Sequence, residues 1–155
     1  MLYKVIPIPE YISEQVRSTL VSPQYKHPAS ISVATGYGPC RSCLRKLEVG
    51  VDERILFTYN SFEGLSDLPL PGPVFVHKER CEPFDAVDEF PPDLMDLPLL
   101  FECFGGGSEL LKREGVDTST IGKQMERLFR LPGAQFVNIR NTEAGCFVAR
   151  VDWLE

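Results

Sequence analysis

Apolar and polar positions along the chain fall into short patterned blocks, each closed by proline or glycine. Residues 2–8, LYKVIPI, read as a strand that Pro7 interrupts. Behind Pro9, a residue tolerated in a first helical turn, Ile12, Val16 and Leu20 recur every four positions and predict a helix over 9–20. The prolines of SPQYKHPAS end it. ISVAT (31–35) and ERILFTYNSF (53–62), rich in β-branched and aromatic residues, predict strands on either side of a loop. LPLPGP (68–73) predicts a rigid, extended connector, and VFVH (74–77) a strand with His77 near its C-terminal end. LLFECF (99–104) predicts one more strand before Gly105, Gly106 and Gly107.

Ile121, Met125 and Leu128 share one helical face. With Thr118 or Ser119 as hydroxyl N-cap and Pro132-Gly133 as a stop, they predict a second helix reaching Leu131. AQFVNIR, the turn NTEAG and CFVARVDW then predict a C-terminal β-hairpin. The sum is an α+β fold: a β-rich single domain over 1–155, with a mixed or antiparallel sheet and two or three flanking helices.

Length and composition agree with this. A chain of 155 residues, 43% apolar and 25% charged, is long enough to bury a core without disulfide staples. A formal net charge of −6 argues against nucleic acid as a partner, because that role needs a basic surface to displace phosphate counterions. No apolar run approaches the roughly 20 residues that span a bilayer, and MLYKVIPIPEYIS lacks the pattern of an export leader. A cytoplasmic protein away from membranes is the expectation.

One segment is one-sided in charge. Between Cys81 and Leu111 there is no Lys or Arg, while Glu82, Asp85, Asp88, Glu89, Asp93, Asp96, Glu102 and Glu109 all lie there. Their spacing does not match the alternating carboxylates and glycine of a helix-loop-helix calcium site. With Pro83, Pro91, Pro92 and Pro98 interleaved, the segment reads as a solvated surface loop. A docking surface for a basic protein is its sharper interpretation.

Chemistry enters with the five cysteines, an odd count that argues against a disulfide framework. GYGPCRSCLRK places Cys40 and Cys43 two residues apart, close enough to share one tetrahedral cation. VFVHKERC supplies His77 and Cys81, three residues apart, to complete a set of four zinc ligands, with Cys146 as a substitute fourth. Two other interpretations use the same residues. In a thiol enzyme or redox protein, Arg41, Arg45 and a helical turn after Pro39 lower the Cys40 pKa, and Cys43 resolves the disulfide. Against it, LRKLEVG reaches glycine within two turns, too soon for the helix of a thioredoxin-type motif. Alternatively, both cysteines are small buried side chains. PCRSC echoes half of the zinc-dependent deaminase signature, but His27 is followed by Pro28 and Ala29 rather than x-Glu, so that chemistry is rejected.

In the hairpin, period-two alternation turns Val137, Ile139, Phe147, Ala149, Val151 and Trp153 inward, and Asn138, Arg140, Cys146 and Arg150 to the opposite face. Arg140 and Asn141 at the turn can grip a carboxylate or phosphate, or simply belong to a solvated sheet face with an Asn starting a turn. The chain has two histidines and no Gly-x-Ser-x-Gly elbow, which leaves Ser-His-Asp chemistry unsupported. GGGSE lacks the Gly-Lys-Ser/Thr ending of a phosphate loop and reads as a flexible turn.

Four stretches in order, GYGPCRSCLR, ILFTYNSF, PGPVFVH with Cys81 after it, and VNIRNTEAGCFVARV, resemble the bacterial family grouped as domain of unknown function 1203. The similarity runs nearly end to end. It implies a stand-alone cytosolic bacterial domain, and it implies no reaction and no catalytic residues.

The sequence thus points to a small zinc-binding α+β protein with Cys40, Cys43, His77 and Cys81 as ligands. Arg41, Arg45, Arg140, Asn141 and Cys146 would line a basic surface for a small anionic ligand. A thiol-dependent enzyme or redox protein is the alternative, and a non-enzymatic interaction protein the third. Whether the protein is an enzyme, and whether a protein partner exists, are left open.

Overall fold

The computed structural model describes residues 2–62 and 72–154. In chain order the elements are β1 (Leu2–Ile6), α1 (Glu10–Thr19), β2 (Ser30–Val33), β3 (Glu53–Tyr59), β4 (Gly72–His77), β5 (Leu99–Gly105), β6 (Leu110–Gly115), α2 (Ile121–Phe129), β7 (Ala134–Asn141) and β8 (Phe147–Leu154). Among the described residues the fold is therefore α+β, mostly β, with two helices and eight strands. The strands form two sheets, and every pairing is antiparallel. Two sheets replace the one expected. The connector foreseen over 68–73 lies mostly outside the described residues. The chain divides into two compact units, residues 7–84 and the remainder.

The 7–84 unit carries the three-stranded sheet β2-β3-β4. Its core is dictated by alternation along β3 and β4: Ile55, Phe57, Val74 and Val76 are buried. Helix α1 packs on β3, and its four-residue repeat puts Ile12 and Val16 into the same core. Leu20 ends the helix in the left-handed region, with its N–H on the Val16 carbonyl. It is 38% exposed rather than part of the buried stripe.

The other unit holds the five-stranded sheet β1-β8-β7-β5-β6, so the expected hairpin β7-β8 sits at its middle. Val137 faces Val151, and Ile139 faces Ala149. Helix α2 packs on β7, and Cys103 Sγ donates to the Leu128 carbonyl at 3.6 Å, closing helix and sheet together. The opposite face is only partly solvated: Asn138 and Val148 are 1% and 0% exposed, while the Arg150 side chain is 44% exposed. Strand β6 was not foreseen, because LLKREG has no apolar alternation; it is an edge strand with exposed charges. GGGSE forms the tight connection between β5 and β6, with Gly107 in the left-handed region (φ 71°).

The acidic segment divides. Glu82, Asp85, Asp88, Glu89, Asp96 and Glu109 are exposed, but Glu102, 4% exposed, lies inside β5. Its carboxylate accepts from Arg113 Nε (3.0 Å) and Nη2 (2.6 Å) and from Arg140 Nε. These two partners differ in solvent access: the Arg140 side chain is 17% exposed and that of Arg113 60%. A shielded ion pair whose partner is removed costs far more than an exposed one. Arg140→Ala should therefore lose about 3 kcal/mol of stability, and Arg113→Ala less than about 1 kcal/mol. Urea unfolding of the two variants measures this, and equal losses would contradict it.

Candidate metal centre

The cysteine loop is shaped by its own backbone. Gly38 adopts φ +87°, and a Cβ there would stand 3.0 Å from Leu47 Cδ1 and 3.1 Å from the Cys40 nitrogen, so a side chain is disfavoured twice. The Gly38–Pro39 peptide is cis. The Cys40 N–H then donates to the Arg45 carbonyl (3.0 Å), and the Leu44 N–H to the Cys40 carbonyl (2.9 Å). Leu44, at φ +59°, reverses the chain between these bonds. The result is a closed turn with Cys40 and Cys43 on it, both buried at 0% and 4% exposure.

Backbone bonds also bring the second pair of residues to this turn. The Arg41 N–H donates to the Phe75 carbonyl in β4 (2.9 Å), two residues before His77. The Phe84 N–H donates to the Ser42 carbonyl (3.0 Å), three residues after Cys81. His77 and Cys81 therefore lie on a segment pinned to the cysteine loop on both sides. Both are half-buried.

The four donor atoms of Cys40, Cys43, His77 and Cys81 lie within 4.8 Å of one another, a group that can hold a metal ion. Cys40 Sγ and Cys81 Sγ are 3.8 Å apart, and Cys43 Sγ and His77 Nδ1 3.5 Å. A tetrahedral ion with bonds of about 2.3 Å to sulfur and about 2.0 Å to nitrogen has edges of about 3.8 Å and 3.5 Å respectively. The same sulfur separation is far beyond a disulfide bond of about 2.05 Å, and all five cysteines are free.

A ring of hydrogen bonds surrounds the donors. The His77 N–H points at Cys40 Sγ (3.4 Å). Arg17 from α1 donates through Nη2 to Cys81 Sγ (3.4 Å) and through Nε to the His77 carbonyl (3.0 Å). Arg45 reaches Cys43 with both its backbone N–H and its guanidinium. On the far side of the imidazole, His77 Nε2 lies 3.3 Å from Asp52 Oδ2.

This crowding sets the protonation states. Hydrogen bonds from Cys40 and Cys81 hold the Cys43 thiol far below the ordinary thiol range. Cys40, which donates to Cys43 and Cys81 and is fully buried, is pushed far above it. Cys81 is lowered, chiefly by the bond from Cys40. Hydrogen bonds to Cys43 and then Cys81 raise the His77 pKa to about 10. Without a cation the cluster is thus a thiolate–imidazolium network that keeps a proton on Cys40 and another on His77.

The remaining predicted site residues have protein partners. Arg41 is buried and donates to the Pro39 carbonyl. Arg45, exposed, is tied to Cys43. In the other unit, Arg140 is held by Glu102 and the Gly145 carbonyl. The Asn141 side chain accepts the Glu143 and Ala144 N–H groups at 2.9 and 3.0 Å and so builds the hairpin turn. Cys146 Sγ points to the Ala144 carbonyl (3.8 Å) and is not in the donor group. Two residues that no sequence spacing signalled, Arg17 and Asp52, stand against the centre. Neither lies in a motif: Arg17 comes from α1, 60 residues before His77, and Asp52 from the turn leading into β3, 25 residues before it.

The family model described as "Protein of unknown function (DUF1203)" matches residues 37–153, and the chain belongs to that family. No curated protein and no solved structure matches the chain.

Proposed function

We propose that this family member is a zinc-binding protein in which Cys40, Cys43, His77 and Cys81 hold one ion in a closed, structural site. The observation that carries the proposal is the pair of donor separations, 3.8 Å between sulfurs and 3.5 Å between sulfur and Nδ1, which match the edges of a tetrahedral site. Three soft sulfurs with one imidazole favour zinc over calcium or magnesium, which take oxygen ligands. Four protein ligands leave no position for water or substrate, so the ion would fasten the cysteine loop to the end of β4 rather than act on a reactant.

Two further observations bound this reading. A redox role for Cys40 as nucleophile needs a depressed pKa, whereas its hydrogen bonds to Cys43 and Cys81 and its burial push the Cys40 thiol up. Arg41, Arg45 and Arg140 each have a protein partner, so acceptance of a small anion is not part of the proposal.

Elemental analysis of protein purified under reducing conditions should find about one zinc per chain. Cys40→Ser should lose the metal and lower the melting temperature, while Cys103→Ser, outside the cluster, should keep the metal. Full zinc occupancy in Cys40→Ser would sink the assignment.

Proton linkage gives a second test. Zinc must displace the protons of Cys40 and His77, both held above their ordinary values, with His77 near 10. Lower pH strengthens the competing proton, so metal is lost as pH falls. With at least two protons released, one from Cys40 and one from His77, apparent zinc affinity should rise about a hundredfold or more per pH unit between roughly pH 6 and 8. Titrations in buffers of different ionisation enthalpy count those protons, and a pH-independent affinity would contradict the protonation states given above.

A further inference from the structure

We infer that Asp52 is a positioning residue that fixes the His77 ring for ligation through Nδ1, an inference that rests on the metal reading above. An imidazole can present either nitrogen to a cation, and the choice follows from what holds the proton on the other. In this ring Nδ1 lies 3.5 Å from Cys43 Sγ, on the donor side, and Nε2 lies 3.3 Å from Asp52 Oδ2 on the opposite side. The carboxylate accepts the Nε2–H, so that when a cation displaces the Nδ1 proton the lone pair it exposes is directed at the centre.

Asp52 is itself held rigidly. The same Oδ2 accepts the Glu48 N–H at 2.8 Å, and the Asp52 N–H returns to the Glu48 carbonyl at 2.9 Å. The Asp52 carbonyl accepts the Ala34 N–H (2.8 Å), while the Gly50 N–H donates to the Ala34 carbonyl (2.8 Å). This turn is stitched to the end of β2 and leads directly into β3, whose Arg54 is the sheet partner of His77. The orientation of the carboxylate is thus inherited from the sheet.

Solvent access separates a positioning role from a stabilising one. The Asp52 and His77 side chains are 30% and 16% exposed, a setting in which an ion pair adds little to folding. Outer carboxylates of this kind act instead on metal affinity, where their loss typically weakens binding 10- to 100-fold.

The test uses the full chain, zinc in competition with a chromophoric chelator, and cobalt as a spectroscopic probe. Asp52→Ala should bind zinc about 10- to 100-fold more weakly than wild type. Asp52→Asn, whose amide oxygen still accepts from Nε2–H, should recover part of that loss. The sulfur-to-cobalt charge-transfer bands should still report three thiolates in both variants. The nitrogen NMR signature of His77, protonated Nε2 with metal-bound Nδ1 in wild type, should be lost or mixed in Asp52→Ala. A lower melting temperature with wild-type zinc affinity and wild-type His77 nitrogen shifts would mark Asp52 as merely structural and overturn the inference. Wild-type protein that takes up neither ion would overturn the metal reading itself, and this inference with it.

Discussion

Three sulfurs and an imidazole nitrogen within 4.8 Å of one another set the constraint that the 7–84 unit must satisfy. Like-charged thiolates at such distances repel strongly where solvent is scarce, so the cluster needs counter-charge. Part comes from the protein. The His77 N–H, the Arg17 guanidinium and Arg45 all direct donors at sulfur. Even so, the network retains protons on Cys40 and His77, which is how a thiol cluster limits its own charge. Three thiolates around a doubly charged zinc carry one net negative charge, and Arg17 and Arg45 already stand where that charge would sit. With protons kept on Cys40 and His77, the metal-free network carries the same net charge, so the same outer donors serve both states.

The other unit solves a buried-charge problem without any ion. Glu102 is placed by β5 alternation on a covered face, and antiparallel register brings Arg113 directly opposite it on β6. Arg140 arrives from β7, two register positions beyond Asn138, the partner of Glu102. Rigid strands can deliver cations to a carboxylate because their side chains repeat at fixed spacing. A loop has no such period. The cysteine turn instead uses Gly38 and Leu44 in the left-handed region and two backbone bonds to neighbouring segments to place its donors.

The sequence carried this site unusually far, for an identifiable reason. Cys-x-x-Cys and His-x-x-x-Cys are local patterns, and a strand ending at His77 could be read from VFVH. What spacing could not show is that the two halves meet. Convergence depends on the Arg41–Phe75 and Ser42–Phe84 backbone bonds, which involve no distinctive residue types. Arg17 and Asp52 were invisible for the same reason: a charge on a helix and an Asp before a strand have ordinary solvated alternatives. The β7-β8 hairpin was legible because its apolar alternation is regular, whereas β6, with charges at adjacent positions, has no period to detect. Arg140 looked available for an anion because its partner Glu102 sits in a different strand, 38 residues away.

Chain separation also decides what a zinc tie would be worth. Cys40 and Cys81 are 41 residues apart, and Cys43 and His77 34. A cross-link closing a loop of that length removes unfolded-state entropy equivalent to about 4 kcal/mol in the chain-entropy model. Small units with a single helix and three strands seldom gain more than about 3–5 kcal/mol from their core alone. The apolar layer of Ile12, Val16, Ile55, Phe57, Val74 and Val76 is of that modest kind. On the zinc reading, the ion would therefore contribute about as much as the core. It would do so at the point where an irregular loop, rather than a sheet, must be held in place.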